Sequence, residues 1–129
     1  MKQLATITVV FIALFTIGCA STETKPAHIH DPFTLSAEQA DQIIYISIKN
    51  TWPDVIPGRL IDGRLGYSME VPSGQDSDRV TAIAIPVGSD QYKFEVWAVS
   101  LTSGTTDTAT RDKLILNIIS NAKTVAEFQ

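Results

Sequence analysis

The sequence feature that most constrains the fold is the alternating stretch Gln91–Leu101. Its apolar residues share one side of an extended chain and its charged residues share the other: Tyr92, Phe94, Val96 and Ala98 against Lys93 and Glu95. Because successive side chains of a strand point to opposite faces of a sheet, this pattern predicts a strand with one buried face. Gly88–Asp90 has the composition of a hairpin turn, so we expect the preceding stretch to be the antiparallel partner.

Two further stretches supply partners for this strand. The β-branched run Arg79–Val87 predicts the neighbouring strand, and Pro86 places its end at an edge or a bulge. Residues 59–71 predict another strand region, interrupted by the turn signal Asp62-Gly63. A polar, solvated hairpin loop is expected at Pro72–Asp78, since its acidic residues lack the bidentate Glu of an EF-hand cation loop.

A helix is predicted before the strands. Ser36 followed by Gln39 matches a capping box, and the pattern continues to about Thr51. The stripe of apolar residues with helical spacing is Ala40, Ile44, Ile48 and Trp52, with Ile43 beside it. Isoleucines are poor helix formers, which leaves a strand over Ile43–Ile48 as the alternative, but the capping box favours the helix.

A second helix is predicted after the strands, from about Ala109 to Ala126, behind the turn-forming stretch Thr102–Thr108. Its apolar stripe is Leu114, Ile115, Ile118, Ile119, Ala122, Val125 and Ala126, while Asn117 and Asn121 are among the residues expected to face solvent. The order helix, three or four antiparallel strands, helix (α-β-β-β-α) predicts a two-layer α+β sandwich over residues 35–129, as one small domain.

The first residues have the organisation of a secretory signal peptide. Lys2 supplies a positive charge, and Leu4–Ile17 is an apolar run broken only by threonines, with no charged residue before Glu23. This run is shorter than the roughly 20 apolar residues of a membrane-spanning helix, and no Lys/Arg cluster follows it. We therefore expect residues 1–18 to be a signal peptide, with a spanning anchor as the weaker alternative.

The sequence Thr16-Ile17-Gly18-Cys19 resembles the lipobox of bacterial lipoproteins, although Thr16 replaces the usual branched aliphatic residue. The resemblance covers about the first twenty residues. It implies that Cys19 becomes the lipidated first residue of the mature chain. Since Ala20 rather than Asp follows, it also implies the outer membrane, with the domain facing the periplasm. Cys19 is the only cysteine, so no internal disulfide can form; an inert thiol after an uncleaved segment is the alternative.

Residues 19–34 are polar and Thr-rich, are interrupted by prolines and show no periodicity, which predicts a flexible tether behind the lipidated cysteine. His28, His30 and Asp31 lie in this tether. Imidazoles at i and i+2 project to the same side of an extended chain, which makes these residues a weak candidate metal site that still needs a further ligand. We expect solvated histidines instead.

Both histidines of the chain lie in the tether, so the predicted domain has none to act as a general base. No catalytic residue and no cofactor are predicted. Carboxylate pairs such as Asp62 with Glu70 leave a hydrolase as a third, disfavoured class. The formal net charge of −4 and the scattered Lys and Arg residues argue against nucleic acid as a partner.

The sequence therefore predicts a non-enzymatic, lipid-anchored module of the cell envelope that binds a protein partner or the wall polymer. The alternative is a periplasmic inhibitor or immunity protein against a toxin or a wall hydrolase. A site on the acidic loops Pro72–Asp78 and Thr102–Thr108 would favour the inhibitor, and a site on an exposed strand face would favour the assembly module. The aromatic residues at strand spacing, Trp97 among them, are expected in the core.

Overall fold

A computed structural model describes the chain from His30 to Phe128. The elements in chain order are β1 (Phe33–Thr34), α1 (Ala37–Thr51), β2 (Gly58–Arg59), β3 (Leu65–Ser73), β4 (Asp76–Gly88), β5 (Gln91–Ser100) and α2 (Thr108–Glu127). Neither helix in this part of the chain is long and apolar enough to cross a membrane. The predicted signal peptide and Cys19 lie outside the described residues.

The strands form one antiparallel sheet in the order β1-β5-β4-β3-β2. The predicted α+β class is confirmed, with two short edge strands that bring the total to five. Val80, at the centre of β4, lies opposite Met69 of β3 and Ala98 of β5. The register shifts between Pro86 and Gly88, where the sequence predicted an edge or a bulge.

The N-terminus of α1 is fixed by the predicted capping box. The Gln39 N–H donates to Ser36 Oγ at 3.1 Å, and the Ser36 N–H donates to Gln39 Oε1 at 2.9 Å. These two bonds satisfy donors that the first turn of a helix otherwise leaves unpaired. The alternative of a strand over Ile43–Ile48 is wrong, because the cap and the burial of the whole stripe outweigh the weak helix propensity of isoleucine.

Both helices cover the same face of the sheet. The side chains that point inward from β3, β4 and β5 are Tyr67, Met69, Val71, Val80, Ala82, Ala84, Phe94, Val96 and Ala98. They meet Ile44 and Ile48 of α1 and Leu114 and Ile118 of α2, all completely buried. Full burial of a large apolar side chain contributes about 1.5–3 kcal/mol, so this layer supplies most of the stability.

The contact between the two helices also contains polar side chains. Asn121 Nδ2 donates to Ser47 Oγ at 2.8 Å, and Asn117 Nδ2 donates to Thr51 Oγ1 at 2.6 Å. The expectation that both asparagines face solvent is wrong, because their spacing of one helical turn matches that of Ser47 and Thr51 across the interface. Each such bond contributes about 1 kcal/mol and fixes the relative register of the helices.

Strand β2 is attached to helix α1 through Arg59. Its guanidinium donates to both carboxylate oxygens of Asp41, at 2.8 and 3.2 Å, and to the hydroxyl of Tyr67 at 2.8 Å. Tyr67 in turn donates to Asp41 at 3.2 Å. Arg59, Asp41 and Tyr67 are thus hydrogen-bonded to one another, and this cluster holds the β2 edge in place.

The predicted tether, residues 19–34, extends too far towards the C-terminus. Residues 30–34 make ordered contacts with the sheet. Phe33 and Thr34 pair with the start of β5, and the Phe94 N–H donates to His30 Nε2 at 3.1 Å. His30 is therefore not a freely solvated residue. No periodicity is visible in this stretch because a single pair of strand residues is too short to show one. His28 lies outside the described residues.

The core assignment is tested by a pair of substitutions on α2. Ile118→Asp places a charge at a position with no solvent exposure, so we expect it to lower the free energy of unfolding by about 3 kcal/mol or more. Leu116→Asp is the matched control, because Leu116 lies on the same helix with 66% of its surface exposed, and a change within about 0.5 kcal/mol is expected. Urea unfolding of a soluble chain starting at Ala20 measures both. Equal effects of the two substitutions would contradict the assignment.

Candidate functional site

The two stretches predicted as acidic loops meet at one end of the sheet. Strand β3 continues to Ser73 and β4 begins at Asp76, which reduces the predicted loop Pro72–Asp78 to a tight turn at Gly74, whose φ is +62°. After β5, the chain folds back along the strand, with Thr106 opposite Val99 in an antiparallel bridge. The turn and the returning loop therefore lie side by side, next to the start of α2.

A cleft of about 320 Å³ lies between these segments. The lining residues are Ser73, Asp76, Asp78, Ser100, Thr105, Thr106, Asp107, Thr108 and Ala109. All of them except Ala109 carry oxygen atoms in their side chains, and none of them is basic. The cleft is thus a concave, acidic surface made of carboxylates and hydroxyl groups.

Asp107 is the N-cap residue of α2 and is well supplied with donors. Its Oδ1 accepts the Thr110 N–H at 3.1 Å, and its Oδ2 accepts the hydroxyls of Ser73 at 2.8 Å and Thr110 at 2.9 Å. The hydrogen bond with Asp78, followed by those from Thr110 and Ser73, holds the pKa of Asp107 well below its usual range despite the opposing effect of burial. Sequence reasoning missed this residue, although Asp before a helix is a recognised capping signal.

Asp78 is 1% exposed and lies on the inward face of β4, at the end of the strand that borders the cleft. Burial, followed by the hydrogen bond with Asp107, raises the pKa of Asp78 to about 6. Its Oδ2 is buried and has no hydrogen-bond partner among the described residues. The expectation of a solvated loop carboxylate is wrong here, because β4 begins earlier than predicted and Asp78 shares the inward face with Val80 and Ala82.

Asp78 and Asp107 are a pair of interacting carboxyl groups with widely separated pKa values. Asp78 faces almost no solvent. The carboxylates named as a possible hydrolytic pair are not brought together: Asp62 pairs with Arg64 at 2.7 Å, and Glu70 pairs with Arg79 at 3.3 Å. Within residues 30–128 no group of three or more His, Cys, Asp or Glu side chains is placed to hold a metal ion.

Of the weak candidate metal ligands, two can be located. The ring of His30 lies 5.3 Å from that of Phe33 and 6.0 Å from that of Phe94, measured between centroids. The Phe94 N–H donates to its Nε2, and its Nδ1 lies within hydrogen-bond distance of the carbonyl oxygen of Asp31, at 2.7 Å. Asp31 itself is exposed. His30 thus serves as a backbone partner for the β5 edge.

The face of the sheet opposite the helices is a second candidate surface. Trp97, Val99 and Ile85 lie on it partly exposed, and none of the three belongs to the core cluster. The charged residues of this face are Arg79, Glu70, Lys93 and Glu95. Tyr67 and Phe94 are in the core as expected, but Trp97 is not, because its position in the alternation of β5 places it with the charged side chains.

No protein-family model, curated protein or solved structure matches this chain. Its function is therefore inferred from the cleft and the open face of the sheet themselves.

The raised pKa of Asp78 predicts that the free energy of unfolding depends on pH. The pKa of Asp78 is about 6 in the folded chain and 3.8 as an ordinary carboxyl. The stabilisation from its bound proton is therefore fully present below about pH 4 and is lost as the pH rises through 6. We expect Asp78→Asn, whose amide can donate to Asp107, to raise the free energy of unfolding at pH 7.5 by on the order of 2 kcal/mol.

Urea unfolding between pH 4 and pH 8 measures this effect. Asp78→Asn is expected to flatten the fall in stability across the interval from pH 4 to pH 6. The exposed Asp76→Asn is the control and should keep the slope of the native chain. An unchanged slope in Asp78→Asn would show that Asp78 titrates normally.

Proposed function

We propose that this chain is a lipid-anchored protein of the bacterial cell envelope, a non-enzymatic binding or assembly module on the periplasmic side of the outer membrane. The support for the anchor is Thr16–Cys19, which resembles a lipobox, with Ala20 after it. Acyl chains on Cys19 would hold the domain durably at the membrane. Residues 20–29 separate that cysteine from the described domain and span at most roughly 35 Å when fully extended.

In the proposed arrangement, the segment from Cys19 enters the domain near one end of β5, and the acidic cleft lies at the other end. His30 lies beside Phe94, near the start of β5, whereas the acidic cleft lies beside Ser100, at the end of the same strand. At about 3.3 Å per residue, these positions are roughly 20 Å apart. The open face of the sheet extends between the two ends and is accessible to a partner that approaches from the side.

The observation that carries the binding proposal is the composition of the open face. Trp97 and Val99 follow each other on this face of β5, partly exposed and opposite Thr81 and Arg79, whereas Ile85 lies further along β4, opposite Lys93; the charged residues of the face carry both signs. An exposed aromatic residue next to an aliphatic one, with polar residues around them, is typical of a protein–protein interface. The partner proposed for this face is therefore a folded protein of the envelope.

The second candidate function is that of an inhibitor or immunity protein, and one observation favours it. The acidic residues of the two predicted loops converge in a single cleft, at the end of the sheet far from the attachment point. A concentrated negative surface favours encounter with a basic target such as a toxin or a wall hydrolase. The two candidates place the contact on different surfaces of the domain.

The anchor is tested by Cys19→Ser. The substitution removes the only thiol that could receive a diacylglycerol, so we expect loss of metabolic labelling with a radiolabelled fatty acid and release of the chain from the membrane fraction. Gly18 and Ala20 remain unchanged, so recognition of the surrounding sequence is preserved. Labelling that persists in Cys19→Ser would contradict the proposal, and an inner-membrane location of the native chain would contradict the proposed sorting.

The binding surface is tested by site-specific photo-crosslinking in cells. A benzophenone amino acid at Val99 is expected to give a discrete protein adduct, and the same residue at Leu116, on the exposed face of α2, is expected to give none. Trp97→Ala should reduce the Val99 adduct at least about tenfold, as expected for an aromatic anchor of an interface. Adducts obtained only from Asp76 would favour the inhibitor, and adducts to wall polymer would contradict a protein partner.

A further inference from the structure

The acidic cleft contains carboxylates without a lining cation. Its lining provides the carboxylates of Asp76, Asp78 and Asp107 together with hydroxyl groups, and it includes no basic side chain. The contacts that set the pKa values of Asp78 and Asp107 come from acidic residues, hydroxyls and a backbone N–H. The described part of the chain thus places negative charge in the cleft and supplies no lining cation to balance it.

One atom of the cleft is left without a partner. Asp78 has only 1% of its surface exposed, and its Oδ2 accepts no hydrogen bond from the described residues. Native proteins rarely leave a buried polar side-chain atom unpaired, and such an atom points to a bound water molecule or ion, a functional role or local strain. Asp78 lines the cleft, so a donor that enters the cleft is placed to reach it.

The size and composition of the cleft restrict the ligand. A volume of about 320 Å³ is roughly ten times the share of one water molecule in the liquid, so the cleft holds a group of several heavy atoms. Within residues 30–128 no cluster of three metal-ligating side chains is present, which disfavours a divalent ion. A guanidinium or ammonium group combines positive charge with several N–H donors and matches carboxylate and hydroxyl acceptors.

We propose that the cleft between the β3–β4 turn and the start of α2 binds a guanidinium or ammonium side chain of a basic partner protein. The cation approaches Oδ2 of Asp78, the oxygen without a partner, while Asp107 and Asp76 provide further negative charge. This inference deepens the inhibitor candidate but does not require it, because binding of the cationic group is measured directly. It is also independent of the lipid anchor and of the open sheet face.

Binding at this site is coupled to a proton. The ionisable groups that face Asp78 are Asp107, at the start of α2, and Asp76, on its own strand, while the neighbouring strands contribute the hydroxyls of Ser73 and Ser100. A cation in the cleft favours the ionised form of Asp78 and thus expels the proton that this group holds at low pH. Affinity for the cation therefore rises between pH 5 and pH 7.5.

The test is a titration of the full chain, purified in a non-ionic detergent, followed by the amide NMR signals of Ser100 and Thr110. The probe is the blocked peptide acetyl-Gly-Arg-Gly-amide. The neutral control is the same peptide with citrulline, which keeps the shape of arginine without its charge. Saturable shifts are expected with the arginine peptide, at least about threefold weaker at pH 5 than at pH 7.5, and no saturation is expected with citrulline.

Two substitutions separate the cleft from general electrostatics. Asp78→Asn keeps the shape of the side chain and is expected to weaken binding of the arginine peptide at least about tenfold. Asp90→Asn is the matched control with the same change in net charge. Asp90 lies in the β4–β5 turn at the other end of the sheet, and its positive φ of 56° suits Asn, so unchanged binding is expected. The urea curves of both variants verify that they are folded.

Several outcomes would overturn the proposal. Equal binding of the citrulline peptide would show that charge is not recognised, and unchanged binding by Asp78→Asn would place the contact elsewhere. Calcium chloride that displaces the arginine peptide and shifts the same amides at lower concentration would identify a metal site. Spermidine that binds more tightly than the arginine peptide would identify a free polyamine in place of a protein side chain.

Discussion

The packing of two helices on one face of β3–β5 is the interaction on which the rest of the structure depends. Phe94, Ile44 and Ile118 lie in this layer without solvent exposure. Because α2 packs against the sheet along its length, its N-cap residue Asp107 is brought next to the beginning of β4 and the end of β5. The position of the acidic cleft is therefore a consequence of core packing.

Much of the fold could be predicted from the sequence, because alternation in Gln91–Leu101 and the capping box at Ser36 are local patterns with a physical cause. The site could not. Asp78 belongs to the inward face only if β4 begins before Arg79, and a polar residue at the end of an apolar pattern gives no such indication. Asn121 likewise looks solvent-facing until the partner helix presents Ser47. Both depend on contacts between segments distant in sequence.

The two candidate surfaces differ in the kind of recognition that they allow. The open face around Trp97 offers area and apolar contact, whereas the cleft offers charge, concavity and an unpaired acceptor at Asp78. Electrostatic complementarity generally sets specificity and the association rate, and most differences in affinity between related complexes lie in the dissociation rate. A partner that contacted both surfaces would have to wrap around the end of the sheet.

The attachment of residues 30–34 to the edge of β5 has a mechanical consequence. Force applied through the N-terminal segment acts first on the His30–Phe94 hydrogen bond and on the two residue pairs of β1, before it reaches the core. Leu35 is 1% exposed, so its buried side chain holds the next part of the chain in the core. Detachment of this short edge would lengthen the connection by roughly 15–20 Å while the sandwich stays folded. Under a load on the N-terminal segment, this short edge is therefore the first contact expected to separate.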